Sequence, residues 1–127
     1  MKKYIVVTGG AGFVGSNLIQ YLLLEKKYKI ISLDDYSSGS KKNHIKNTNV
    51  IYIKGNTIDM NRKLKRFKNK IKVVFHFGEF ARIHQSFIDT KKCFSSNISG
   101  TSNVFHFCFE NKIKIIYSAT SASLGNK

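Results

Sequence analysis

The sequence has no proline, two cysteines and seven acidic residues against 22 lysines and arginines, and its apolar residues nowhere run long. Each shortage excludes something. Cys93 and Cys108 lie far apart, with no Cys-x-x-Cys pair and no Cys/His cluster at zinc-ligand spacing, so neither a disulfide framework nor a metal site is indicated. Both read as buried thiols. No stretch approaches the ~18 consecutive apolar residues of a membrane-spanning helix, and behind Met1-Lys2-Lys3 the apolar run Ile5 to Val7 is too short for a signal-peptide core. A cytoplasmic protein with no membrane partner is expected. Arginine and alanine are scarce while lysine, asparagine, isoleucine and phenylalanine abound, a bias that A/T-rich coding alone produces and that accounts for most of the formal charge of +15. The sign of that charge favours polyanions such as phosphates, nucleotides or nucleic acid without choosing among them.

What is present suffices for one domain: 127 residues, 42% of them apolar and 13% aromatic, can bury a core. Five apolar runs read as strands: Tyr4 to Thr8, Lys29 to Leu33, Val50 to Lys54, Val73 to Phe77 and Ile113 to Ser118. Each is nearly continuous, as expected of strands buried on both faces. Between the first two, Val14, Leu18 and Leu22, with Ile19 and Leu23 beside them, form one apolar stripe on a helix. Met60, Leu64 and Phe67 give a weaker stripe, and Phe94, Ile98, Thr101, Phe105 and Cys108 a stronger one. Strands alternating with helices predict an α/β fold with a parallel sheet and right-handed crossovers. The polar segment Ser37 to Asn49 reads as a surface loop, and neither an internal repeat nor a second domain is evident.

Thr8-Gly9-Gly10-Ala11-Gly12-Phe13-Val14-Gly15 falls where the first strand ends and the first helix begins. Gly9 permits a sharp turn, Gly12 lets backbone approach a pyrophosphate, and Gly15 lets the helix pack closely. The free amides at the helix start, around Phe13 and Val14, would face that anion with help from the helix dipole. Asp34 stands at the end of the second strand, 19 residues past Gly15, where a carboxylate accepts hydrogen bonds from adenosine ribose hydroxyls and repels a 2′-phosphate. Strand, glycine turn, helix and acid together predict a site for NAD rather than NADP. Asp35 either touches the cofactor or starts the loop.

The spacing Gly-x-x-Gly-x-x-Gly resembles that of the extended short-chain dehydrogenase/reductase superfamily, and the chain is similar along nearly its whole length to the front of epimerases/dehydratases of the UDP-glucose 4-epimerase type. The resemblance implies a Rossmann-type doubly wound parallel sheet, here incomplete, with about five strands in the order 3-2-1-4-5. It places Gly55-Asn56-Thr57-Ile58-Asp59 where the family has Gly-Asp followed by an aliphatic residue, so that Asn56, with Thr57 beside it, lies at the adenine. Val74 to Ala81 falls on the family's His-Leu-Ala-Ala strand end, so that Phe77, Gly78 and Glu79 lie beneath the cofactor, Glu79 replacing a small residue. The family lysine that reaches the cofactor phosphates is Ala81 here, with Arg82 beside it as a possible substitute. Asn97, with Gly100, Thr101 and Asn103, resembles the helix that supports the nicotinamide half. Tyr117 to Gly125 resembles the strand-end hydroxyl cluster, placing Ser118 at the cofactor and the catalytic hydroxyl on Thr120, with Ser121 its nearest competitor.

The resemblance implies that NAD oxidises a nucleotide sugar, most simply a UDP-sugar, to a 4-keto intermediate, then returns the hydride to the other face and inverts C4. The family's base is a Tyr-x-x-x-Lys pair that follows the hydroxyl cluster; none of the six tyrosines here has a lysine four residues on. The chain is therefore expected to be an N-terminal fragment, residues 1–127 of the cofactor domain, with the pair and the sugar-binding subdomain farther on. Full-length relatives are often dimers through a helix bundle, which would use the segment around Thr90 to Glu110. The alternatives are the similar 4,6-dehydratase, or a nonenzymatic basic module that binds RNA or a partner protein.

Three features take plain structural readings. His76 is expected to be a satisfied core histidine, and the cluster Arg62, Lys63, Lys65, Arg66, Lys68 and Lys70 a solvated outer face. Phe105, Phe107 and Phe109 cannot all face one way on a helix. A sheet that stops at the fifth strand leaves Ile113 to Tyr117 uncovered along one edge, and such an edge aggregates. The isolated 127-residue polypeptide is expected to be poorly soluble and to leave UDP-sugars unchanged; epimerase turnover by a purified sample of this length would refute that.

Overall fold

The computed structural model describes residues 3–120 and residue 125. Five strands, β1 (Tyr4–Thr8), β2 (Lys29–Asp34), β3 (Val50–Lys54), β4 (Ile71–His76) and β5 (Lys114–Tyr117), form one sheet in the order β3-β2-β1-β4-β5. Every neighbouring pair is parallel. This is the expected doubly wound arrangement, and it follows from the pleat. In β1, Ile5 and Val7 face one side and Val6 the other, so each face of the central strand needs its own apolar cover.

Helix α1 (Phe13–Leu24) covers the first face, laying Ile19 with Leu18, Leu22 and Leu23 over Ile5, Val7, Ile30 and Val73. The second face carries the short α2 (Met60–Leu64), with Phe67 just beyond it, and α5 (Thr101–Glu110). There Met60, Leu64, Phe67, Val104, Phe107 and Cys108 pack on Val6, Ile31, Leu33, Ile71 and Val74. Burying each of these side chains contributes about 1.5–3 kcal/mol, so the sheet is held from both sides. The basic residues around α2 stay on the outside, as expected: Arg62, Lys65, Arg66, Lys68 and Lys70 are exposed.

The remaining helical segments are α3 (Ile83–Ile88), α4 (Thr90–Phe94) and a π-helical turn (Ser95–Gly100) that leads directly into α5. Here one expectation is corrected. Phe94, Ile98 and Phe105 are exposed, and the inward line runs one residue earlier at most steps, through Cys93, Asn97, Gly100, Val104, Phe107 and Cys108. Apolar content does not set this face because two inward positions do other work. Asn97 hydrogen-bonds the chain at Phe80, and Gly100 sits so close to Thr57 that a Cβ there would lie 2.4 Å from the Thr57 hydroxyl. Of the three alternating phenylalanines only Phe107 is buried.

Burial on both faces also fails at the rims. β3 is half-buried, and in β5 Ile116 and Tyr117 are exposed, these being the outer strands of the sheet among the described residues. The loop after β2 is less free than its composition suggests. Ser40 N–H and the Asn43 side-chain amide both donate to the Ala11 carbonyl, at 3.0 and 2.8 Å.

The start of α1 is seated against the turn before it: a Cβ on Gly15 would lie 2.3 Å from the Gly9 carbonyl oxygen and 2.7 Å from Gly10 Cα. Both neighbours are backbone and cannot step aside cheaply. Gly15→Ala in the intact protein is expected to lower the unfolding free energy by about 1–3 kcal/mol, read from the urea midpoint. An unchanged midpoint would contradict this packing.

Candidate functional site

At the carboxyl end of the sheet the chain leaves β1 between β2 and β4, and Gly9 makes the exit. Its φ of +69° is one that side chains rarely tolerate, and a Cβ would lie 2.7 Å from the Phe77 carbonyl oxygen. The turn is tied by Gly9 N–H to the Leu33 carbonyl at 2.9 Å and by Gly12 N–H to the Gly9 carbonyl at 3.1 Å. Gly12 caps α1 without any side-chain acceptor, and the first turn holds no acid. The N–H groups of Phe13, Val14 and Gly15 therefore open the helix without intrahelical acceptors, a concentration of positive dipole. A Cβ on Gly12 would meet only the Gly9 carbonyl, at 3.3 Å, so space lies open beside the turn.

That space belongs to a cleft of about 640 Å³. One wall is Gly9, Gly12, Asp34 and Asp35; the floor runs through Asn56, Thr57, Phe77, Gly78 and Glu79; Arg82, Asp89, Lys91 and Lys92 stand on the far side. Asp34 is buried and held twice: Oδ2 accepts from Ala11 N–H at 2.9 Å and Oδ1 from Tyr36 N–H at 2.8 Å. Asp35 does start the loop, accepting from Ser37 N–H, and its other oxygen accepts from the Asn56 amide at 3.3 Å. Asn56 Oδ1 caps Ile58 N–H at 3.0 Å and also accepts from the Thr57 hydroxyl at 3.5 Å, a bond long enough to give way to a better-placed donor.

Nine of the expected cofactor residues thus line one cleft: Gly9, Gly12, Asp34, Asp35, Asn56, Thr57, Phe77, Gly78 and Glu79. Phe13, Val14 and Gly15, which follow Gly12 at the start of α1, are not in the lining. Asn97 lies behind the lining, accepting from Phe80 N–H at 2.6 Å and donating to the Phe80 carbonyl at 3.0 Å. Ser118 sits at the β5 end, its N–H reaching the His76 carbonyl at 3.4 Å, and Thr120 follows it; neither is in the lining. Ser121 lies outside the described residues. Lining residues that the sequence did not single out include Gln85, Lys91, Lys92, Ser95 and Ser96. Two lysines among 22 cations carry no signal of their own. Among the described residues no group of His, Cys, Asp and Glu could hold a metal ion.

Residues 5–127 match the model of the NAD dependent epimerase/dehydratase family. The chain belongs to that family. It is 36% identical over 129 residues to a dTDP-D-glucose 4,6-dehydratase of Dictyostelium discoideum, a match covering 96% of this chain and 30% of that protein. Among solved structures it is similar to a UDP-N-acetylglucosamine 4-epimerase from Methanobrevibacter ruminantium, with a TM-score of 0.85, 32% identity, and coverage of 100% of this chain and 41% of that one. It is also similar to a Thermus thermophilus UDP-glucose 4-epimerase in complex with NAD, with a TM-score of 0.81, 26% identity, and coverage of 92% and 37%. The chain spans between 30% and 39% of the length of the curated relatives it matches.

In this family member the cleft floor is backed by a directed series of hydrogen bonds. Thr8 Oγ1 accepts from Phe77 and Gly78 N–H, so its own hydrogen goes to His76 Nδ1 at 2.7 Å. The network therefore assigns the ring proton to Nε2, which donates to Thr101 Oγ1 at 2.8 Å. His76 is thus the satisfied core histidine expected. Burial lowers its pKa below the usual 6.5, against a weaker upward pull from Glu79. A depressed folded value means that the unfolded chain takes up the proton first. Stability is full above pH 6.5 and is lost as the pH falls through the folded value. Histidine NMR on the intact protein is expected to place the His76 midpoint below 6.5; a midpoint at or above 6.5 would contradict the neutral, Thr8-bonded ring.

Proposed function

We propose that the cleft binds NAD and that the chain is the cofactor-binding part of a nucleotide-sugar epimerase of the UDP-sugar 4-epimerase type. The observation that carries this reading is the pairing of an uncapped helix start with the buried, doubly held Asp34 on one wall of the same cleft. The residues fit the group. Amides of Phe13 and Val14 serve a diphosphate, the remaining acceptor capacity of Asp34 serves ribose hydroxyls, and the Asn56 amide oxygen serves the adenine amino group. Phe77, Gly78 and Glu79 floor the cleft, with Asn97 securing the chain at Phe80 behind them. When bound, the dinucleotide supplies a reversible two-electron acceptor. Thr120 is assigned the hydroxyl that hydrogen-bonds the reacting sugar oxygen.

A UDP-sugar is the proposed substrate, supported by the two epimerase structures named above. The second reading, 4,6-dehydratase, is favoured by the Dictyostelium relative. Epimerisation is separated from dehydration by product: a C4 epimer of unchanged mass against loss of one water. The proposed homodimer contact is the segment around Thr90 to Glu110, which leaves Phe94, Ile98 and Phe109 exposed. RNA binding is disfavoured because an RNA binder has no need of the acid Asp34, the strand-end hydroxyl Thr120 and the amide Asn97 in this arrangement.

Calorimetry on the intact protein tests the reading. NAD is expected to bind at least about tenfold more tightly than NADP, and Asp34→Ala to weaken NAD by about tenfold or more, roughly 1.4 kcal/mol. No heat with either oxidised or reduced nicotinamide nucleotides, together with none co-purifying, would overturn it.

A further inference from the structure

Four acids line the cleft, and one of them is engaged differently. Asp34, Asp35 and Asp89 accept from backbone N–H groups, Asp35 also from the Asn56 amide, whereas Glu79 Oε1 accepts from two side-chain hydroxyls, Thr101 on α5 at 2.7 Å and Tyr117 at the end of β5 at 3.0 Å. We propose that Glu79 is a positioning residue: its carboxylate clasps the β4 end to α5 and to the last residue of β5, and so fixes where β5 delivers Ser118 and Thr120. The catalytic relevance of that delivery rests on the function proposed above; the clasp itself does not.

β5 is only four residues long, and its ladder thins at the top, where Ser118 N–H meets the His76 carbonyl at 3.4 Å. The Tyr117 ring lies 5.8 Å from His76, near-parallel, and 5.5 Å edge-on from Phe105, contacts that leave it exposed. Its hydroxyl supplies the directional link. The carboxylate that receives it is the terminus of the series Thr8, His76, Thr101, every member of which is buried or half-buried, so the clasp is anchored in the core. The small residue that the family commonly has at this position reaches neither hydroxyl. Glu79, Thr101 and Tyr117 thus form one hydrogen-bonded set.

The titratable groups facing Tyr117 are Glu79 from the β4 end and His76 within β4; α5 contributes the uncharged Phe105. The hydrogen bond to Glu79 is the leading cause that raises the Tyr117 pKa above its usual 10.0, so the phenol remains a donor at neutral pH.

The test uses the intact protein with ring-labelled tyrosine. In Glu79→Ala the Tyr117 phenol is expected to titrate lower than in the wild type and the Ser118 amide to exchange about tenfold faster. Turnover of the nucleotide sugar is expected to drop about tenfold with KM changed less than about threefold, and Glu79→Gln, which keeps an acceptor oxygen, to restore most of kcat. An unmoved Tyr117 titration, or equal kcat for the alanine and glutamine variants, overturns the proposal. Should Glu79→Ala not fold, Tyr117→Phe removes the same bond from the other side; unchanged Ser118 exchange there overturns the clasp equally. If the NMR responses occur while the wild type leaves nucleotide sugars unchanged, the clasp stands and the proposed function falls.

Discussion

The structure depends on how the chain leaves its central strand. β1 is paired on one side with β2 and on the other with β4, so the crossovers diverge from it and open a crevice at its carboxyl end. Gly9 must turn there within contact distance of Phe77, and Gly15 must then bring α1 back onto that turn. Asp34 completes the constraint by bonding Ala11 and Tyr36 at once, which fixes the glycine turn to the end of β2. Cleft, helix start and acid are consequences of one piece of local geometry.

Charge plays a smaller part in this site than composition suggests. In a molecule of formal charge +15 the cleft is lined by Asp34, Asp35, Glu79 and Asp89 against Arg82, Lys91 and Lys92. Bulk attraction brings polyanions near and weakens with salt. In the function proposed above, holding a dinucleotide in place falls to directed groups, the amides at the start of α1 for its diphosphate and the Asp34 carboxylate for its ribose hydroxyls. The basic excess lies largely elsewhere, for instance on the outer face around α2.

Much of this was legible in the sequence where a residue type has a single physical use. Gly9, Gly12 and Gly15 between an apolar run and an apolar stripe announce a close turn, and Asp34 at the next strand end announces its partner; the parallel sheet follows from alternating strands and helices, and its order was implied by the family resemblance. The inward face from Cys93 to Cys108 was not legible, because Asn97 and Gly100 turn inward for a hydrogen bond and a close contact that hydrophobicity does not encode. The Asn43 bond to Ala11 was hidden for the same reason. Glu79 was visible only as a departure from the family's small residue. Its purpose required the positions of Thr101 and Tyr117, which are 22 and 38 residues away in sequence.

The central claim is that backbone amides at the opening of α1 receive the ligand's diphosphate. Amide NMR of the intact protein during titration with NAD addresses it directly. The account predicts that the largest shifts fall on Phe13, Val14 and Gly15, with Ala11 and Tyr36 following through Asp34. Shifts confined to the lysines around α2, with the first turn of α1 unmoved, would contradict it.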